Sequence, residues 1–179
     1  SIGQGYVLST PLQLAAATAA LANRGRLVRP HLLRGVEDPE TGEIRRPAEQ
    51  VTEVQLGDPS QYERVIEGMI AVMHGSHGTA RRAGQRLSYR IAAKTGTSQL
   101  VSLPQAGETA QDIPDHLKDH ALFIAFAPAE RPQVALALII ENGGSGGKIA
   151  APIARRILDY YFVERLRRAD LKESSHVRG

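Results

Sequence analysis

Apolar residues along this chain follow two different periods, and the switches between them mark out its elements. From Pro11 to Gly25 alanines dominate, at 15–17, 19, 20 and 22, and the run predicts a slim helix able to pack closely on a neighbour. Thr10 is placed to cap it, Pro11 suits a first turn that needs no backbone N–H, and Gly25 supplies a left-handed stop. A second helix is predicted over 60–75. There Tyr62, Val65, Ile66, Met69, Ile70 and Met73 recur at i, i+3, i+4 and i+7 and define one buried face, with Tyr62 and Met69 as core residues. Between the helices the pattern is irregular: "RLVRPHLL" reads as a short strand and "EDPETGEIRRP" as an exposed turn with a hairpin.

Further on, the runs become strand-like. "HALFIAFAPA" (120–129) and "PQVALALIIEN" (132–142) predict an antiparallel hairpin. The second run is almost continuously apolar, which fits a central strand buried on both faces. After "GGSGGK" comes a helix from about Ala150 to Arg167, with Pro152 in its first turn and Ile153, Ile157, Tyr160, Tyr161 and Leu166 as its apolar positions. Residues 98–119 form a long connection with little pattern, of a length that in compact domains belongs to lids, binding loops or disordered segments. "ADLKESSHVRG" (169–179) carries no apolar pattern, and 164–179 read as a disordered tail.

Composition narrows the function classes. A chain of 179 residues is long enough for one ordinary domain or a large part of a bigger one. Its aromatic content of 4%, without tryptophan, makes the core aliphatic and alanine-rich. The absence of cysteine excludes disulfides, zinc–thiolate sites and cysteine nucleophiles from this chain. Net charge is only +3 and, apart from "ERLRR", the arginines are spread out, unlike a clustered nucleic-acid surface. No stretch reaches the roughly 18 apolar residues of a membrane-spanning helix. "SIGQGYVL" lacks the basic region and apolar core of a signal peptide.

The candidate chemistry lies in "RIAAKTGTSQL", residues 90–100, where a strand-like apolar run is interrupted by a lysine. Beside apolar neighbours the Lys94 ammonium is partly desolvated and acts strongly on a nearby anion. Thr95 and Thr97 offer hydroxyls for a carboxylate, Gly96 admits close approach of an extended peptide, and the Thr97 N–H can stabilise an oxyanion. Such a set suits the carboxylate end of a peptide undergoing acyl transfer. Strict alternation sets Thr95 and Thr97 on one face and Lys94 on the other. All three can serve one ligand only if the strand is twisted or bulged, or the ligand lies along its edge.

K-[ST]-G after a strand is also the third motif of the penicillin-recognising serine acyltransferases. "SIGQGYVLSTPLQLAAATAALANRGRLVRPHLL", "GTA" at 78–80, "KTGTSQ", "DHALFIAFAPAERPQVALALIIENGG" and the closing helix stand here in order. Over residues 1–163 these blocks resemble the C-terminal half of the transpeptidase domain of class B penicillin-binding proteins. "DHALFIAFAP" and "IIENGG" look most like the elongation-type subgroup, penicillin-binding protein 2. The resemblance implies an α/β (α+β) fold of the transpeptidase/β-lactamase type, an antiparallel sheet flanked by helices, present as a partial domain. Its middle strand would carry "KTGT".

The implied activity is D,D-transpeptidation: a serine attacks D-Ala–D-Ala, and a neighbouring stem peptide's amine resolves the acyl-enzyme. Lys94, Thr95, Gly96 and Thr97 would form the catalytic strand, and Lys94, Thr95, Thr97, Ser98 and Gln99 would bind stem peptide or β-lactam. No cofactor and no metal is implied. Implied partners are a lipid II-polymerising membrane glycosyltransferase and elongation scaffold proteins, and no nucleic acid. The implied location is the periplasmic side of the bacterial inner membrane, through an N-terminal helix absent from this chain. Two other readings share these residues: a non-catalytic muropeptide- or partner-binding remnant, and a carboxypeptidase or β-lactamase-type hydrolase.

The family nucleophile belongs to an S-x-x-K motif, with a second S-x-N or S-x-D, and both normally precede "SIGQG". This chain holds no S-x-N or S-x-D and one formal S-x-x-K, Ser145-Gly-Gly-Lys148. Because Ser145 lies in a glycine-rich turn rather than at the start of a cleft-facing helix, the nucleophile is expected upstream of this chain. Among other candidates, His116 and His120 could pair on a metal if helical, and His74 and His77 flank a turn, but both patterns read better as solvated faces. Gly3 and Gly5 read as a close backbone approach behind the cleft.

Overall fold

The computed structural model describes residues 8–54, 58–99, 114, 116 and 118–165, without the side chains of 164 and 165. The first helix, α1 (Pro11–Ala22), starts where the capping residues require. The Gln13 N–H donates to Thr10 Oγ1 at 3.2 Å and the Thr10 N–H donates to Gln13 Oε1 at 2.8 Å, a reciprocal cap. Past its end, Gly25 adopts φ +98° and donates its N–H to Ala20 O at 2.8 Å. A short antiparallel pair follows, β1 (Arg26–Val28) with β4 (Val51–Glu53), and between them lies the hairpin β2 (Val36–Glu37) and β3 (Ile44–Arg45).

Helix α2 (Ser60–His74) buries Tyr62, Ile66, Met69 and Met73. Val65, expected on that face, is 50% exposed: the buried stripe follows i, i+4, i+7, and Val65 falls beside it. The sheet that positions the site has three antiparallel strands, β5 (Ala92–Ser98), β6 (His120–Ala127) and β7 (Val134–Ile140), in the order β5-β6-β7. Period two sorts its side chains. Ala93, Ala121, Phe123 and Ala125 join one core with Ala151, Ala154 and Leu158, while Ala92 and Phe126 join a second with Ala22, Ile66 and Met69.

Two expectations about the sheet are corrected. Among the described residues the middle strand is β6, and both the KTGT strand β5 and the apolar strand β7 lie at its edges. The continuous apolar pattern of β7 still reflects cover on both faces, although the strand is not central. Leu136, Leu138 and Ile140 pack into the core on one face while Ala135 packs on the other, and α1 lies against the strand.

The last helical segment is also not a single α-helix. A π-helical turn (Gly146–Ala150) leads into α3 (Ala151–Asp159), and a second such turn (Tyr160–Arg165) follows. Its buried line is Ala151, Ala154 and Leu158, with Phe162 packed alongside, whereas Ile153, Ile157 and Tyr160 are exposed. Small side chains won the buried face because the helix lies close against β6. Residues 166–179, including Leu166 and the end of the expected tail, lie outside the described residues.

The connection from α2 to β5 is tied down at both ends. Tyr89 Oη donates to Asp159 Oδ1 at 2.7 Å, Arg155 Nε donates to Asp159 Oδ2 at 2.6 Å, and Arg155 also donates to Ala83 O and Gln85 O. Burial, followed by the Asp159 hydrogen bond, pushes the Tyr89 hydroxyl well above its ordinary pKa, so it stays a donor at any working pH. At the other end the Ile91 N–H donates to His74 Nε2 at 3.0 Å, which needs the ring nitrogen's lone pair.

Burial first, and Arg90 second, hold the His74 pKa below 6.5. The unfolded chain then takes up the proton first as pH falls. The contribution is complete above the ordinary value and is lost through the window below it. Thermal melts over that window should show stability falling with acidity, and His74→Gln, which keeps an acceptor, should flatten the slope. An unchanged slope in that variant would contradict the assignment.

Candidate active site

Strand β5 begins in the core and leaves it at the lysine. Ile91, Ala92 and Ala93 are fully buried, Lys94 is exposed, and Thr95 and Gly96 are half-buried. The lysine stands where the strand reaches solvent. Its Nζ donates to Thr95 O at 2.7 Å, so the ammonium lies along the strand rather than pointing away from it.

A cleft of about 540 Å³ opens at this strand, lined by Lys94, Thr95, Gly96 and Thr97 together with Thr79, Ser145, Gly146, Gly147 and Lys148. The alternation problem is resolved by position, since the cleft runs along the edge of the sheet and residues of both faces reach it. Ser98 and Gln99 are exposed and lie outside this lining. Gly3 and Gly5, and most of the proposed lid (100–113, 115 and 117), lie outside the described residues.

Three features of the cleft were not assigned a role from sequence. Thr79 Oγ1 lies 3.0 Å from Thr95 Oγ1, a hydroxyl pair that fixes the rotamer of a cleft threonine. The signal for it was the "GTA" block.

The second feature is the fit of the turn after β7. A Cβ on Gly146 would stand 2.5 Å from Gly96 O and from Leu122 O, and one on Gly147 would overlap Thr79 O. Gly96 is itself tight, since a Cβ there would stand 3.1 Å from Leu122 Cβ. The absence of side chains at 96, 146 and 147 lets this turn press against β5 and line the same cleft. The third feature is Lys148, carried into the cleft by that turn.

Ser145 caps the turn. Its Oγ accepts the Lys148 N–H at 3.4 Å, and its backbone is extended (φ −89°, ψ 118°). Both members of the formal S-x-x-K therefore line the cleft, but the recorded bond runs to the lysine's backbone and not to its ammonium. His120 is engaged elsewhere: its Nδ1 accepts the Asn142 N–H at 3.0 Å, and Asn142 Nδ2 donates to His116 O. These bonds close the end of the long connection onto the turn after β7.

An antiparallel sheet with helices on both faces, and a Lys-Thr-Gly-Thr strand lining a cleft at its edge, define the class. The chain matches the penicillin binding protein transpeptidase domain over residues 1–159 and belongs to that family. Its relatives include the peptidoglycan D,D-transpeptidase MrdA of Salmonella typhimurium, 43% identical over 164 residues, covering 90% of this chain and 26% of the relative. Among solved structures, Pseudomonas aeruginosa PBP2 is similar with a TM-score of 0.73 and 40% identity, covering 90% of this chain and 31% of that one. The Helicobacter pylori PBP2 solved in complex with MreC is similar with a TM-score of 0.67 and 26% identity, covering 89% of this chain and 26% of that one. The chain thus spans between a quarter and a third of the proteins it matches.

Proposed function

We propose that this chain forms the carboxylate-binding side of the acyl-transfer cleft of a peptidoglycan D,D-transpeptidase of the elongation type. The observation that carries the reading is the cleft at the β5 edge, where Lys94, Thr95, Gly96 and Thr97 converge with Thr79. The terminal carboxylate of a D-Ala–D-Ala peptide lies against the Lys94 ammonium and the threonine hydroxyls, displacing the ammonium's bond to Thr95 O. That contact sets the scissile carbonyl beside a serine supplied by the upstream half of the domain. The serine oxygen bonds to the carbonyl carbon, the C–N bond breaks, and D-alanine leaves with the proton. An amine from a second stem peptide then attacks the ester, forms the new amide and returns the proton to the serine. β-Lactams acylate the same serine, held by the same carboxylate contact.

The partners follow from the same reading: stem peptides, β-lactams, a lipid II-polymerising glycosyltransferase and a scaffold of the MreC kind. We place the cleft on the periplasmic side of the inner membrane, with the anchor outside this chain. Among the described residues no helix is long and apolar enough to cross a membrane. Labelled penicillin tests the proposal. The full-length protein should form a stable covalent adduct that free stem-peptide analogue slows, while the 179-residue chain alone should form none. A full-length protein that forms no adduct, or turns penicillin over rapidly with water, would overturn it.

A further inference from the structure

The cleft carries more positive charge than one terminal carboxylate requires. Lys94, on β5, and Lys148, on the turn after β7, both line it. The Lys94 ammonium is bonded to Thr95 O, but among the described residues the Lys148 ammonium has neither a hydrogen-bond acceptor nor a carboxylate within ion-pair distance. The position of Lys148 is set by the fold. Gly146 and Gly147 have no room for a Cβ against Gly96, Leu122 and Thr79, so the backbone that bears Lys148 is pressed onto β5. The Ser145 hydroxyl, three residues earlier, lines the same cleft and accepts the Lys148 N–H.

We propose that Lys148, with the Ser145 hydroxyl, is a second anion subsite of the cleft and selects peptide ligands that carry a carboxylate in addition to the terminal one. The inference rests on the transpeptidase reading for its ligand class and on the geometry of the turn for its place. Lys94 and the threonines take the terminal carboxylate, and the second carboxylate lies against Lys148. An ammonium on a flexible stem suits this role, because it acts as a point charge and tolerates a range of ligand geometries. The pair is solvent-exposed, so its effect on selectivity is modest and sensitive to salt.

The test uses the full-length protein and two penicillins, one with its ring carboxylate alone and one with a further carboxylate on the acyl side chain. Lys148→Met should lower the ratio of the two acylation rates, dicarboxylate over monocarboxylate, by about three- to fivefold at low salt. Lys148→Arg should restore most of that ratio. Loss of both rates in equal proportion would place Lys148 on the same carboxylate as Lys94, and an unchanged ratio with unchanged rates would leave it without a ligand. Either result overturns the second subsite.

Equilibrium binding of D-alanine-terminated peptides, with and without an added carboxylate, reads the same ratio without acylation. A protein that is never acylated but shows the Lys148-dependent ratio has the subsite and lacks the enzyme activity. One that acylates without the ratio has the activity and lacks the subsite.

Discussion

Replacing Lys94 by alanine is expected to slow acylation of the full-length protein by penicillin about 100-fold, with little change in melting temperature. The two parts have separate causes. Lys94 is exposed at the point where β5 leaves the core, so its side chain holds no core together. Among the described residues its ammonium is bonded to the neighbouring carbonyl, Thr95 O, at 2.7 Å, a contact that a ligand carboxylate can replace with a charge-assisted one. Loss of one preorganised donor at a reacting group typically costs on the order of 10²–10³ in rate. The lower end fits here because Thr95 and Thr97 remain in the cleft. Lys94→Arg keeps the charge but presents a planar fork rather than a compact ammonium, and an intermediate rate is expected. A Lys94→Ala protein with unimpaired acylation would remove β5 from the site.

The second large effect is expected at a glycine. Gly146→Ala should destabilise the fold by about 3 kcal/mol, at the upper end of the usual cost of overpacking. The added methyl would stand 2.5 Å from two backbone oxygens, Gly96 O on β5 and Leu122 O on β6, neither of which can turn away as a side chain can. Relief requires the turn to lift off the sheet, which also withdraws Ser145 and Lys148 from the cleft. Gly144→Ala is the control on the same turn. It has φ +70° and no atom within 4 Å of the added methyl, so only left-handed strain of about 1 kcal/mol is expected. Denaturant unfolding of the two variants should rank them in that order, and equal losses would show that the wall is not packed as described.

These effects show which parts of the chain were legible in its residues. α1 announced itself through Thr10, Pro11 and Gly25, because capping and left-handed turns depend on local chemistry that a few neighbours specify. The KTGT strand was legible for a similar reason: a lysine in an apolar run has few structural uses. Sheet order was not legible. The apolar content of β7 records burial by the helix beside it and the core beneath, and burial alone does not say which strands are its neighbours.

The face of α3 was misread because periodicity gives weight to large side chains. Ile153 and Ile157 carry the visible pattern, yet Ala151 and Ala154 take the buried positions against the sheet. Thr79 and the 146–148 wall were missed for a related reason. Their contribution is a close approach between segments far apart in sequence, hinted at by the "GTA" block and by the missing side chains at 96, 146 and 147. The same contacts resolved the face problem at β5, since a cleft along a strand edge draws on both faces at once.

The central claim is that this chain supplies a carboxylate-binding wall and that the nucleophile comes from elsewhere in the full-length protein. Peptide mass spectrometry after brief treatment of that protein with penicillin tests it most directly. The account expects one adduct, on the serine of an S-x-x-K sequence preceding Ser1, formed more slowly in the Lys94→Ala protein. An adduct on Ser145, or none at all, would contradict it.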